Sequence, residues 1–341
     1  MTLLLKNQEI IPLLTMKESL EILDGAYKRY IEGKILNVPY TRFVVPTRTE
    51  GRRWHMYELR AAVPELGVSG IRLSSGINDF TSGTQRRVEM PEAMRLDQIQ
   101  LFDIQTAEPL AILAGEHIQL LRVGANSALG VKYLAREGSE TLGIIGSGRQ
   151  AETQLEAIAL VRPLKRVLVY SRSAENREQF AEQARSRYAF SVEAVDSTDA
   201  LIERSDIITA ATSATSPTFD GSLICRGTHV NTLNAWQIDE TTVRRSSLFT
   251  TTKSRVYEYL FHGEKRDYKA SSPYWKEWDR VQELERVMVG ETTGRRSDDE
   301  ITLFYGDGAG LQFVTLGHHV FTKARAQGIG RELPTDWFLG T

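Results

Sequence analysis

The feature that most constrains the fold of this chain is a glycine motif at residues 142–151, LGIIGSGRQA. An apolar run ends in Gly146 and Gly148, and Ala151 completes the G-x-G-x-x-A spacing of a turn between a strand and a helix. Gly146 permits a sharp turn, Gly148 has no Cβ to obstruct a pyrophosphate, and Ala151 lets the helix pack close to the strand. Free amides at the helix N-terminus then face the phosphates. The cofactor contacts predicted in this turn are those of Gly146, Gly148, Arg149, Gln150 and Ala151.

The residues after this motif predict a helix and a second strand, in the order of a dinucleotide-binding unit. The helix repeats apolar residues at Ala151, Leu155 and Ile158, as one face of an α-helix does, and Pro163 stops it. An apolar strand follows at 167–170, and strands and helices continue to alternate after it. This alternation predicts an α/β fold with a Rossmann-type, doubly wound domain.

The end of the second strand selects between the two nicotinamide cofactors. An acidic residue at this point binds a free ribose 2′-hydroxyl and repels a 2′-phosphate. This chain has Ser171-Arg172-Ser173 instead, and an arginine between two hydroxyls suits a phosphate dianion. We therefore predict NADPH, with NAD less favoured; the alternative is that Arg172 is a solvated surface residue. A later small-residue loop, containing Thr212 and Ser213, is expected to flank the nicotinamide.

Composition argues against several classes of partner. Among 341 residues the formal net charge is −2, and the basic residues are spread along the chain, so no nucleic-acid partner is expected. The single cysteine, Cys225, excludes an internal disulfide, and no spacing of His, Cys and carboxylates suggests a metal. The apolar run at 3–5 is too short for a signal peptide and no stretch approaches a membrane span, so we expect a cytoplasmic protein without membrane contact.

The N-terminal third has a different pattern and is expected to form its own domain. An amphipathic helix at 15–34, with capping-box spacing of Thr15 and Glu18 at its start, precedes a run of short strands. Such a run is not a strand-helix-strand repeat. A helix at 308–328 is expected to cross back to this first domain.

Five segments together resemble the ornithine cyclodeaminase and mu-crystallin family, over nearly the whole length of the chain. They are LFDIQTAEPLAIL (101–113), LLRVGANSALGVKYLAREG (120–138), TLGIIGSGRQA (141–151), GTHVNTLNA (227–235) and ITLFYGDGAGLQFVTLGHHVFTKARAQGIG (301–330). The resemblance implies a dinucleotide domain, 123–314, inserted in a smaller α+β substrate and dimerisation domain formed by 1–122 and 315–341. It also implies a homodimer and chemistry on α-amino or α-imino acids.

The motif residues of the family carry over with two departures. Its substrate-carboxylate arginines look like Arg42 and Arg122 here. Its active-site lysine falls on Arg72, and its cyclodeaminase aspartate, near the end of the G-T-H-x-N strand, falls on Trp236. Arginine does not deprotonate at working pH, so Arg72 cannot be a general base, although it can clamp a carboxylate. Tryptophan offers only an N–H donor.

These departures bear on the mechanism. A cyclodeaminase oxidises an amine, expels ammonia and returns the hydride, so it needs a group that handles protons at nitrogen. Reduction of a preformed iminium does not need such a group, because the positive charge of the protonated C=N already attracts the hydride. We therefore expect an NADPH-dependent reductase of an α-imino acid, of the ketimine reductase or amino-acid dehydrogenase type, whose arginines hold the substrate carboxylate. The open alternatives are a redox-neutral deaminating cyclase and a non-catalytic protein that binds NADPH and a small ligand.

Each candidate side chain also has a purely structural interpretation. Arg42 can pair with an acid on a neighbouring strand, and Trp236 can be a core residue. Arg122 is harder to explain in this way, because an unpaired buried guanidinium costs on the order of several kcal/mol. His55 is a possible proton donor, although a lone histidine is more often a packing or surface residue.

Overall fold

The computed structural model describes residues 1–81, 86–88, 94–267 and 269–338. The chain divides into two compact units. Unit 1 comprises Met1–Arg122, Ser254–Tyr268 and Gly308–Thr341, and unit 2 comprises Val123–Lys253 and Lys269–Asp307. The two units are nearly equal in length.

The described secondary structure has the following bounds. The strands are β1 (Thr2–Leu5), β2 (Leu36–Pro46), β3 (Arg52–Val63), β4 (Val68–Asp79), β5 (Arg86–Val88), β6 (Leu96–Asp103), β7 (Pro109–Ala114), β8 (Thr141–Ile145), β9 (Arg166–Tyr170), β10 (Ser191–Ala194), β11 (Ile207–Ala210), β12 (His229–Thr232), β13 (Ser246–Thr250), β14 (Tyr257–Leu260), β15 (Lys265–Asp267), β16 (Gln282–Glu283), β17 (Ile301–Tyr305) and β18 (Arg331–Leu333). The α-helices are α1 (Asn7–Ile10), α2 (Met16–Ile31), α3 (Glu116–Leu134), α4 (Arg149–Ala159), α5 (Ala174–Arg187), α6 (Thr198–Ile202), α7 (Glu240–Arg245), α8 (Pro273–Lys276), α9 (Leu284–Met288) and α10 (Gly310–Gln327). Short 3-10 helices lie at Ile11–Leu13, Pro64–Leu66, Gly221–Leu223, Trp278–Arg280 and Thr335–Phe338.

Unit 1 is built on one mixed sheet, with the strand order β15-β14-β2-β3-β4-β6-β7-β1-β18 and with β5 paired to the end of β4. Alternate residues of β4, from Val68 to Asn78, are buried on one face of this sheet, as the twofold period of a strand requires. Helix α10 packs against β3 and β4. A Cβ at Gly310 would lie 2.2 Å from the carbonyl oxygen of Arg60, so the helix begins in direct backbone contact with the sheet.

The predicted helix at 15–34 is confirmed as α2. Thr15 and Glu18 form the capping box, and Leu20, Leu23 and Tyr27 are buried. Gln312 of α10 donates a hydrogen bond from Nε2 to the hydroxyl of Tyr27 at 2.6 Å, within the interior of unit 1. The apolar stripe read from the sequence therefore faces the core, as an amphipathic surface helix should.

Two segments of unit 1 differ from the predicted domain bounds. The sequence assigned residues 254–268 to the dinucleotide domain, but β14 runs parallel to β2 and belongs to the sheet of unit 1. Residues 308–314 also belong to unit 1, because α10 packs as one helix from its start at Gly310. The pairing of β14 with β2 joins residues far apart in the chain, and local patterns carry no signal for such a contact.

Unit 2 has the doubly wound architecture. Its strands are joined in parallel in the order β10-β9-β8-β11-β12-β17-β13-β16. From β8 the chain builds outward to β9 and β10, and then returns to the other side of β8 with β11. In such sheets the ligand crevice lies outside the carboxyl ends of the strands, where the order reverses. The core includes Ile145, Leu168, Ile208 and Val230, all buried.

Candidate active site residues

The first part of the candidate site is the turn between β8 and α4 in unit 2. Gly146 has φ of 124°, in the left-handed region that glycine adopts at little cost. A Cβ there would lie 2.4 Å from the carbonyl oxygen of Ala211, so the loops that follow β8 and β11 meet closely at this point. The packing of the chain itself therefore requires glycine at position 146.

Gly148 is explained differently. Its backbone is extended, and a Cβ would have no heavy atom within 4 Å. Gly148 is the N-cap of α4, and no described side chain caps this end of the helix. Arg149 and Gln150 form the first turn, and Ala151 is fully buried. Open space above a bare helix N-terminus fits the pyrophosphate of a dinucleotide, whose charge the aligned amides favour.

The end of β9 has one arginine available for a ligand. The Ser171 hydroxyl donates to the carbonyl oxygen of Ser173 at 2.9 Å, and the Ser173 hydroxyl oxygen accepts a hydrogen bond from a backbone amide of α5. Both hydroxyls thus shape the turn. Arg172 is exposed and has no ion-pair partner among the residues that the structure describes. Arg177 donates to the Ser171 carbonyl oxygen at 3.1 Å and pairs with Asp196, so a second guanidinium lies beside the turn.

The loop after β11 is held by a buried amide that the sequence did not single out. Gln237 donates from Nε2 to the Thr212 hydroxyl oxygen at 3.0 Å and to the Thr212 carbonyl oxygen at 2.5 Å. Ser213 is exposed. The predicted loop therefore has a fixed backbone at Thr212 and a solvent-facing residue beside it.

An ion pair near the end of β17 was also missed by the sequence analysis. Lys269, only 2% exposed, pairs with Asp307. Its ammonium nitrogen lies 4.8 Å from the ring centroids of both Trp275 and Tyr305. The Tyr305 hydroxyl donates to Asp307 Oδ1 at 3.3 Å. An aspartate two residues after an apolar strand was the available signal, because carboxyl ends of parallel strands carry functional side chains.

Trp236 follows β12, the neighbour of β17, and is partly buried. Its indole Nε1–H donates to the Ser271 hydroxyl oxygen at 3.2 Å, and its backbone amide donates to Asn234 Oδ1 at 3.1 Å. The residue that replaces the family aspartate is therefore bonded to the segment that carries Lys269, and it is not a core residue.

The G-T-H-x-N motif serves the packing of unit 2. His229 is fully buried, with Nδ1 2.8 Å from the Thr302 hydroxyl oxygen and Nε2 3.0 Å from Asn231 Oδ1. Burial lowers the pKa of His229 to about 3, so the ring is neutral at physiological pH. Asn231 donates in turn to the carbonyl oxygen of Ser127. Within the described ranges no group of three or more His, Cys, Asp and Glu side chains is placed to hold a metal ion.

In unit 1 two of the candidate arginines meet one aromatic ring. Buried Arg72 donates to Asp97 in a bidentate pair, with Nε to Oδ1 at 3.0 Å and Nη2 to Oδ2 at 2.7 Å. Its guanidinium carbon lies 4.5 Å from the ring centroid of Phe313, and that of Arg122 lies 5.3 Å from the same centroid. Arg122, also buried, donates from Nε to Gln119 Oε1 at 3.1 Å.

The third arginine has an acidic partner from the segment that the sequence assigned elsewhere. Arg42 Nε lies 3.0 Å from Glu258 Oε1 across β2 and β14, and both side chains are buried. The same carboxylate accepts from Arg266 at 2.7 and 2.5 Å. The Arg42 guanidinium carbon also lies 5.0 Å from the Tyr57 ring centroid. This ion pair matches the structural interpretation of Arg42, and its substrate role stays a prediction.

A cavity of about 100 Å³ lies beside Arg42 in unit 1. Its lining residues are Arg42, Val44, Arg53, His55, Asn78, Phe80, Glu258 and Arg266. The amide Nδ2 of Asn78 is 3.2 Å from Nδ1 of His55. Because an amide NH₂ donates, this assignment puts the proton of the neutral His55 ring on Nε2.

The sequence of this chain is similar to those of known proteins. The ornithine cyclodeaminase/mu-crystallin family model matches residues 1–328. The chain belongs to this family. It is 27% identical over 300 residues to Δ1-pyrroline-2-carboxylate reductase of Bacillus cereus, covering 87% of this chain and 86% of that protein. It is 26% identical over 336 residues to iminosuccinate reductase of Paracoccus denitrificans, covering 97% of this chain and 99% of that protein.

A solved structure extends the likeness to the fold. Thermococcus litoralis Δ1-pyrroline-2-carboxylate reductase, in complex with NADH and L-proline, superposes with a TM-score of 0.80 at 28% identity. The match covers 97% of this chain and 100% of that chain. The predicted family and the predicted α/β fold with a Rossmann-type domain are confirmed. No described helix is both long and apolar enough to cross a bilayer.

Proposed function

We propose that this chain reduces the C=N carbon of an α-imino acid by hydride transfer from NADPH. It is an NAD(P)-dependent oxidoreductase of the class that acts on CH–NH or C=N groups, as are its relatives named reductases of pyrroline-2-carboxylate and of iminosuccinate. The observation that carries the proposal is the meeting of two buried guanidinium groups, those of Arg72 and Arg122, at the ring of Phe313. A buried cationic surface of this kind suits the carboxylate of an amino or imino acid.

The cofactor part of the proposal rests on unit 2. The bare N-terminus of α4 at Gly148 holds the pyrophosphate, and the loop containing Thr212 and Ser213 flanks the nicotinamide. The exposed guanidinium of Arg172 binds the 2′-phosphate, which favours NADPH over NADH. NAD remains the less favoured cofactor, although the solved relative was crystallised with NADH. When bound, the nicotinamide supplies the hydride.

The substrate carboxylate is assigned to the face that Arg122 and Arg72 form at Phe313. Arg42 and Arg72 also contact protein carboxylates, so they add positive potential and orient the site. An arginine does not exchange protons at neutral pH, so none of the three serves as an acid or base. The reaction needs none at nitrogen if the substrate arrives as an iminium.

The cyclodeaminase alternative is not favoured. That reaction needs a group that transfers protons at nitrogen. The position of the family aspartate is occupied here by Trp236, whose indole N–H donates to Ser271. A non-catalytic binding role is separated from the proposal by whether NADPH is consumed.

NADPH oxidation should be followed by absorbance against a panel of cyclic imino acids and of 2-oxo acids with added amines. Turnover with cyclic imines alone indicates a ketimine reductase, and a requirement for amine indicates reductive amination. No turnover with retained NADPH binding contradicts the proposal. The predicted homodimer is checked by light scattering of the purified protein, and the cytoplasmic location stays a prediction.

A further inference from the structure

We propose that Asp307 binds the nitrogen of the substrate: its carboxylate accepts a hydrogen bond from the N–H of the iminium, and Lys269 holds the carboxylate in place. This inference rests on the proposed function and names the residue at the nitrogen end of the C=N bond. It begins from the ion pair of Lys269 with Asp307, which lies at the carboxyl end of β17 in unit 2.

The register of the sheet places Asp307 at the same edge as the loop assigned to the nicotinamide. Strands β11, β12 and β17 are parallel neighbours, and they end in one row at Ala210, Thr232 and Tyr305. Thr212 and Asp307 each follow that row by two residues. Two strand spacings, or about 10 Å, separate β11 from β17. Both residues therefore lie at the carboxyl edge of the sheet, where ligands of open α/β sheets bind.

One short loop after β12 contacts both sides of this edge. Gln237 donates from Nε2 to the Thr212 hydroxyl oxygen at 3.0 Å. Its neighbour Trp236 donates from Nε1 to the Ser271 hydroxyl oxygen at 3.2 Å, and Ser271 follows Lys269 by two residues. The nicotinamide loop and the lysine segment are therefore bonded to consecutive residues of the same loop, which keeps the ion pair next to the cofactor site.

Of the two paired side chains, the carboxylate is the one that reaches open space. The Lys269 side chain is 3% exposed, whereas that of Asp307 is 16% exposed. The Lys269 ammonium contacts the rings of Trp275 and Tyr305, and a buried ammonium needs an anion beside it. Lys269 therefore fixes the carboxylate from the protein side. An ionised carboxylate has about four lone-pair positions, so the bonds from Lys269 and from the Tyr305 hydroxyl are compatible with a further one from a ligand.

A carboxylate at this place favours the form of the substrate that accepts a hydride. A negative charge beside an imine nitrogen stabilises its protonated form, and the bond from an N–H⁺ to a carboxylate is charge-assisted. In the reaction the substrate carbon accepts the hydride, the π electrons of the C=N bond become the lone pair of the nitrogen, and the N–H bond is kept. Asp307 therefore neither gains nor loses a proton, and the amine takes a proton from water on release.

The test compares kcat/KM for NADPH oxidation with two substrates, above the pKa of the free imine. Δ1-pyrroline-2-carboxylate carries an N–H when it is protonated, whereas its N-methyl iminium derivative has a permanent charge and no N–H. Asp307→Asn should lower kcat/KM for the first substrate at least tenfold and change that for the second less than threefold. Equal losses for the two substrates would overturn the inference.

Two further variants control for charge and folding. Glu240→Gln is the matched control, because it removes an exposed carboxylate that also pairs with a lysine of unit 2, Lys276; it should leave both kcat/KM values unchanged. The double variant Lys269→Met/Asp307→Asn removes both charges of the buried pair. It should show the same selective loss as Asp307→Asn, with NADPH affinity retained.

A binding measurement separates this inference from the proposed function. Calorimetry with NADPH present compares L-proline with tetrahydrofuran-2-carboxylate, in which an oxygen replaces the ring nitrogen; NADPH reduces neither ligand. We expect Asp307→Asn to weaken binding of L-proline at least tenfold and that of tetrahydrofuran-2-carboxylate less than threefold. Equal losses for both ligands, or no loss, would overturn the inference while the reductase function stands. If no imino acid is reduced, the proposed function is wrong, and a selective loss of L-proline binding would still assign the nitrogen to Asp307.

Discussion

The dinucleotide turn of unit 2 and the arginine face of unit 1 are built on different principles. The turn is made of backbone: Gly146 is fixed by a φ of 124° and by the nearby Ala211 carbonyl, and Gly148 leaves a helix end open. The arginine face is made of long side chains, and two of its three candidates are held by protein carboxylates. Backbone requirements can be read from a sequence as glycines at fixed spacing. The sequence does not indicate which acidic residue pairs with a given arginine.

The largest effect on cofactor binding should come from a single methyl group in the turn. Gly148→Ala puts a Cβ into space that is open in the protein but that a pyrophosphate would occupy. We expect the Kd for NADPH to rise about 100-fold with no loss of thermal stability, because the extended backbone accepts alanine. Gly138→Ala, at another unobstructed glycine, is the control and should leave both quantities unchanged. Unaltered NADPH affinity of Gly148→Ala would contradict the pyrophosphate assignment.

Substitution of the two arginines at Phe313 should change different properties, substrate binding for Arg122 and stability for Arg72. Arg122→Leu should raise KM for a carboxylate substrate by about 10- to 150-fold, equivalent to the roughly 1.5–3 kcal/mol of a charge-assisted hydrogen bond, and spare NADPH affinity. Arg72→Leu should instead lower the free energy of unfolding in urea by about 1.5–3 kcal/mol, because the buried carboxylate of Asp97 loses its bidentate partner and keeps the pair with Arg95. Unchanged steady-state kinetics of Arg122→Leu would rule out the carboxylate clamp.

At the ribose end, the expected effect is confined to one cofactor. Arg172→Ala should weaken NADPH binding by about 1.5–3 kcal/mol and leave NADH binding nearly unchanged, because only NADPH carries the 2′-phosphate. Titration of both cofactors by fluorescence measures the two affinities. Arg187→Ala, which removes an exposed arginine at the end of α5, is the control. Equal losses for the two cofactors would contradict the 2′-phosphate assignment, and no loss for either would mean that Arg172 is a solvated surface residue.

The smallest effect on activity should come from substitution of a buried glutamate in unit 2. Burial raises the pKa of Glu285 to about 8, although its Oε1 accepts the backbone amide of Thr252. The folded state therefore retains a proton that the unfolded state releases above about pH 4.5, so the free energy of unfolding should fall as pH rises from about 4.5 to about 8. Glu285→Gln cannot ionise; it should remove this decline and leave NADPH affinity unaltered.

Urea unfolding at pH 5, 7 and 9 measures this slope, with Glu182→Gln, an exposed carboxylate, as the control. If Glu285→Gln keeps the wild-type dependence on pH, then another group causes the decline. A loss of NADPH affinity in this variant would instead show that the backbone of the dinucleotide site depends on the end of β13.

Local sequence patterns predicted the elements with strong local signals. Helix α2 follows its capping box and apolar stripe, and α10 lies within the predicted helix at 308–328. The patterns did not predict β14 and β15, whose short strands pair at the edge of a sheet formed by distant residues. Local patterns also did not predict that Glu258 pairs with Arg42 or that Lys269 pairs with Asp307, because the two partners of each pair lie far apart in the chain.

The sequence by itself determined the family, the doubly wound unit with its glycine turn, and the arginine at the end of β9. These features follow from backbone sterics and from the periodicity of burial, which act over a few residues and are therefore written locally. Only the tertiary structure decided which arginines already hold a carboxylate, which acid is buried with a raised pKa, and which charged residues surround the cavity beside Arg42. Charge compensation depends on distances of a few ångströms between residues from different segments, and those distances exist only once the chain has folded.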